Sequence, residues 1–121
     1  MNLPIGILVA RKELITKLLN KDFTAKTSMK LKILFKEISK YIDVYEEERI
    51  KLVKKYGTEI EDNITVPEHS KNWESFVAEL NDVADQKVDL IYPDLTEEDL
   101  TSSNINIYVR DLIDMEVFYV A

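Results

Sequence analysis

The chain has 121 residues, 45% of them apolar, with two Gly, three Pro and no Cys. That composition describes one folded domain and excludes a disordered chain, disulfides, thiolate metal sites and thiol nucleophiles. The formal charge of −7 is divided: residues 1–57 hold 13 Lys and Arg against 7 Asp and Glu, and residues 58–121 hold 3 against 16. Blocks of opposite sign attract each other across a small fold, and the acidic half argues against nucleic acid as a partner.

The first ten residues are apolar, but Arg11 and Lys12 follow the run instead of preceding it, and the run is too short to span a bilayer. Neither a secretory signal nor a membrane segment is expected. Residues 7–20 read as a first helix, with Leu8, Leu14, Ile15, Leu18 and Leu19 on one side and Arg11, Lys12 and Lys17 on the other. After a short connection through Phe23 and Thr24, residues 25–56 contain no Gly or Pro. Leu31, Leu34, Ile38, Tyr41, Tyr45 and Leu52 recur there at three-then-four spacing, interrupted by Glu48. This predicts a helix of about 30 residues, about 45 Å long, antiparallel to the first. The first helix is about half as long, so another element must cover Tyr45, Leu52, Val53 and Tyr56. Gly57 is expected to stop the helix in the left-handed conformation, with Lys54 and Lys55 favourably placed at its negative end.

Beyond Gly57 the period changes. Glu61-Asp62-Asn63 is a polar turn signal between Ile60 and Ile64, and Trp73, Phe76, Val77, Leu80 and Val83 define a helix over residues 70–84. Val88, Leu90 and Tyr92 alternate as a strand that ends at Pro93. Thr96-Glu97-Glu98-Asp99 has the form of a capping box, and Ile105 and Ile107 read as a further strand. Val109, Leu112, Ile113 and Met115 fall at helical spacing before the closing Val117-Phe118-Tyr119-Val120. The expected fold class is α+β: a long antiparallel helical hairpin (1–57, basic) with a small antiparallel sheet and short C-terminal helices (58–121, acidic), in one domain.

Three segments carry a resemblance. Lys21-Asp22-Phe23-Thr24-Ala25-Lys26-Thr27-Ser28-Met29-Lys30-Leu31, then Tyr45-Glu46-Glu47-Glu48-Arg49-Ile50-Lys51-Leu52-Val53-Lys54-Lys55-Tyr56-Gly57, and Val109-Arg110-Asp111-Leu112-Ile113-Asp114-Met115-Glu116 are similar to a family of small phage proteins of unknown function from low-GC Gram-positive hosts. Where that family carries a Gly-containing turn after the long helix, this chain has Glu61-Asp62-Asn63. In size and domain type the chain also resembles anti-defence proteins of Bacillus phages. That likeness implies inhibition of a sirtuin-type host enzyme that depletes NAD, in the host bacterial cytoplasm.

The residues themselves offer little chemistry. His69 is the single histidine and has no carboxylate set by spacing to orient it. Glu46, Glu47 and Glu48 are consecutive on a helix and point in different directions, so they cannot converge on a cation. Two glycines cannot build a phosphate-cradling loop or dinucleotide fingerprint, and no serine sits in a nucleophile elbow. The chain is therefore expected not to be an enzyme and to need no cofactor, metal or small-molecule substrate. Tyr41, Tyr45, Tyr56 and Trp73 read as core. Phe118 and Tyr119 are adjacent near the C-terminus and cannot both face inward on a strand, so at least one is expected to be exposed or held by a partner. Asp89, Asp94, Glu97, Glu98 and Asp99 are expected to form an acidic rim around that anchor. The leading expectation is binding and inhibition of a large host defence protein. The alternative is a virion structural or tail-assembly protein.

Overall fold

The computed structural model describes residues 2–60, 63–68, 70–102 and 105–119. His69, the Glu61-Asp62 part of the proposed turn, Asn104 and Val120 lie outside these residues.

The element order is β1 (Asn2–Pro4), α1 (Ile5–Leu19), α2 (Ala25–Tyr56), β2 (Thr58–Ile60), β3 (Asn63–Thr65), α3 (Lys71–Ala84), β4 (Lys87–Asp89), α4 (Glu97–Thr101), α5 (Val109–Asp114) and a closing 3₁₀ turn, Glu116–Phe118. The α+β class is as expected from the sequence: a long helix pair with small antiparallel sheets and short C-terminal helices. The helix α2 has 32 residues, about 48 Å at 1.5 Å per residue. Thr24 caps it by accepting a hydrogen bond from the Thr27 N–H at 3.4 Å.

Burial follows the expected stripe. Leu8, Ile15 and Leu18 of α1 meet Leu31, Leu34, Ile38 and Ile42 of α2, with Phe23 closing the connection between them. The element over the far end of α2 is α3. It starts beside the end of α2, where Asn72 Nδ2 donates to Tyr56 O at 3.2 Å, and finishes against the start of α1. A Cβ built on Gly6 would lie 3.3 Å from Ala84 Cβ, so the absence of a side chain at Gly6 permits this close approach. Leu90, Leu95, Leu100, Met115 and Phe118 then form the other wall of the core.

Several expectations are corrected. The N-terminal residues form β1, which pairs antiparallel with β4 (Asn2↔Asp89, Leu3↔Val88, Pro4↔Lys87). The strand expected through Tyr92 ends at Asp89, which pairs with Asn2, the first described residue of β1. A separate hairpin, β2–β3, follows the long helix. Ile105 and Ile107 pack half-buried against the core without entering a strand, and Val117 and Phe118 lie in the 3₁₀ turn. Gly57 is extended, at φ −82° and ψ 161°, rather than left-handed. What requires glycine there is space: a Cβ would run into the Val53 carbonyl and come within 2.6 Å of Ile64 Cγ2.

The divided charge is used inside the fold. Lys17 pairs with Asp111 at 2.8 Å, Lys30 with Asp99 at 2.9 Å and Lys55 with Glu79 at 3.2 Å. Each of these pairs joins a basic residue of the first half to an acid of the second.

Candidate interaction surface

The segment from Asp89, the last residue of β4, through α4 carries the acids singled out in the sequence. Its course is set by Leu90 and Leu95, both buried, and by the capping box of α4. In that box Thr96 N donates to Asp99 Oδ2 at 3.0 Å and Asp99 N to Thr96 Oγ1 at 3.2 Å. Asp99 also accepts from Lys30 Nζ at 2.9 Å, and its carbonyl accepts from Thr27 Oγ1 at 3.1 Å. Burial pushes the Asp99 carboxyl up, but the bonds from Lys30 and Thr96 outweigh it and the acid is held below its ordinary range. Asp99 is thus a latch between α4 and α2 rather than part of an open rim.

The other acids do form a face. A parallel bridge between Leu95 and Tyr119 lays the C-terminal segment beside the start of α4, and Tyr92 Oη donates to Phe118 O at 2.7 Å. Burial, then Glu97 and Glu116, push the Tyr119 phenol up to about 12. Burial, then Asp94, do the same for Tyr92. Asp94 thus acts on Tyr92, and Glu97 and Glu116 act on Tyr119, with exposed Glu98 next along α4. Asp94, Glu97, Glu98 and Glu116 have no ion-pair partner among the described residues. Asp89 stands apart on β4, where its carbonyl accepts from Tyr41 Oη at 3.1 Å. Glu116 was not among the acids named from the sequence, since its approach to Glu97 depends on the Leu95–Tyr119 bridge.

Phe118 is corrected as an exposed anchor: it is fully buried. The 3₁₀ turn ends at Phe118, which fills the core, and Tyr119, the extended residue after it, stays half-buried.

A second exposed feature was missed. Tyr108, Val109 and Ile113 are 68%, 71% and 55% exposed. The inward side of α5 is set by Asp111 and Met115, one helical turn apart and both buried. Val109 and Ile113 lie about 200° around the helix from them, on the outer side. Lys17 holds the element down, bonding to buried Asp111 and standing 4.9 Å from the Tyr108 ring centroid. The available signal was compositional: Val109, Leu112, Ile113 and Met115 are more apolar residues than one side of a six-residue helix can bury.

Among the described residues no three metal-ligating side chains gather in one place, and no helix is long and apolar enough to cross a membrane. No protein-family model, curated protein or solved structure matches the chain.

Proposed function

We propose that this is a non-enzymatic, phage-encoded protein that binds and inhibits a host antiphage defence protein, a sirtuin-type NAD-depleting enzyme, in the host cytoplasm. The observation supporting this reading is the acidic face of Asp94, Glu97, Glu98 and Glu116, without ion pairs among the described residues, beside Tyr92 and Tyr119. Unpaired charge of one sign on a small protein steers association with a basic groove, and half-buried tyrosine rings back it. The phage origin and the enzyme class rest on the resemblance of the three quoted segments and of the chain's size.

The test is co-expression with a sirtuin-type defence enzyme during phage infection, reading cellular NAD and co-purification. The protein should preserve NAD and be recovered in stoichiometric complex. Reversal of charge at Asp94, Glu97 and Glu116 should weaken the complex by about tenfold or more at low salt and flatten its salt dependence. NAD depletion unaffected by the protein, or its recovery in purified virions with structural proteins, would overturn the reading, the second in favour of tail assembly.

A further inference from the structure

An open groove of about 520 Å³ runs along the first turns of α2. Its apolar lining is Phe23, Met29 and Ile33; Ser28 adds a hydroxyl, and Lys32 and Lys36 add two ammonium groups. Met29 is 52% exposed, an unbranched thioether that adapts to irregular partners. Lys32 and Lys36 are one helical turn apart on the same side, where like charges repel. Lys26 sits in the first turn of α2, which contains no acid, so its charge stands against the positive end of the helix dipole. Lys30, between them in sequence, is neutralised by Asp99. Lys26, Lys32 and Lys36 have no ion-pair partner among the described residues. Three cations are thus held where helix physics disfavours them, beside an apolar groove.

We infer that this groove docks an acidic amphipathic helical segment of a protein partner. Aliphatic anchors lie on Met29 and Ile33, and carboxylates reach Lys32, Lys36 and Lys26. Charge complementarity selects the occupant. A short acidic segment experiences mainly the charges within about one Debye length, roughly 8–10 Å, whereas a long polyanion also meets the repulsion of a chain whose net charge is −7. Bases would find no aromatic platform either, since Phe23 is buried under the hairpin connection. This surface is distinct from the acidic face and opposite in sign, so it extends the proposed function and does not depend on it.

The experiment is fluorescence anisotropy of the full chain with a labelled leucine–glutamate helical peptide, beside leucine–glutamine and polyglutamate peptides and a DNA duplex. The leucine–glutamate peptide should bind, losing about tenfold in affinity with K32E/K36E and a measurable part of it with M29Q. All of these substitutions are at exposed positions, and circular dichroism verifies the fold. Equal binding of the leucine–glutamine peptide, equal binding of polyglutamate, displacement of the peptide by DNA, or indifference to K32E/K36E each overturns the inference. Reversal of Glu97 and Glu116 should not weaken peptide binding, which separates failure here from failure of the acidic-face reading.

Discussion

The two ends of α2 are built from one helical pattern and are held very differently. From Thr27 to Ile42 the inner side of the helix packs on α1 and on the C-terminal segment, and Leu31, Leu34 and Ile38 are fully buried. Beyond Ile42 only Leu52 reaches burial, Val44 and Ile50 are exposed, and the cover is α3, with Phe76 and the adjacent Trp73, whose ring lies 5.7 Å away. The polar run Glu46-Glu47-Glu48-Arg49 leaves too few apolar side chains for a second dense layer. Charge follows the same division. At the enclosed end ion pairs latch partly buried groups together, whereas Lys55 and Glu79 are 58% and 41% exposed and hold little. A continuous helix therefore does not distribute stability evenly; the elements packed on it do.

The largest effect should separate the ends directly. Phe118→Ala empties a fully enclosed site and is expected to cost about 3–5 kcal/mol, against about 2–3 for Phe76→Ala, measured as urea midpoints. Equal losses would break the comparison. Next, Lys17→Met leaves the buried Asp111 carboxylate unpaired. The cost should be about 1–3 kcal/mol, below that of a wholly buried pair because the Lys17 side chain is 44% exposed. Lys55→Met at the other end should leave the midpoint in place.

Asp99→Asn should cost about 1 kcal/mol at neutral pH by weakening the capping box and the Lys30 pair. Because the folded state holds this carboxyl low, its contribution is present above the unfolded value of about 4 and is lost as pH falls through the lowered folded one. Melting curves of the variant and the parent should therefore converge on acidification. The smallest effect sharpens the contrast by sign. Lys26→Glu should stabilise by about 0.3–1 kcal/mol, since it relieves a cation at the helix N-terminus. Lys54→Glu, at the C-terminus, should lower the melting temperature. A fall in melting temperature with Lys26→Glu would remove the electrostatic argument for Lys26 in the basic groove.

Much of this was legible because it is local. The limits of α2, the Thr96 capping box and the apolar stripes of α1, α2 and α3 each follow from residues within one or two turns of one another. The candidate surface was legible only in part. Glu97 and Glu98 are in the open as their first-turn positions imply, but Asp99, from the same run, is folded back onto Lys30, and Phe118 is inside. Nothing adjacent to either residue announces its partner, because Lys30 is 69 positions away from Asp99 in the chain.

What the amino-acid sequence determined by itself was the helical hairpin, the α+β class and the separation of charge, since periodicity, caps and ionisable side chains act over short distances along the chain. Only the tertiary structure decided that the first strand pairs with the fourth, that Ile105 and Ile107 form no ladder, and that Glu116 joins Glu97 while Val109 and Ile113 face outward. Those outcomes depend on which remote surfaces compete for the same buried volume, and a side chain loses that competition when a neighbour such as Met115 or Phe118 fills the core more completely.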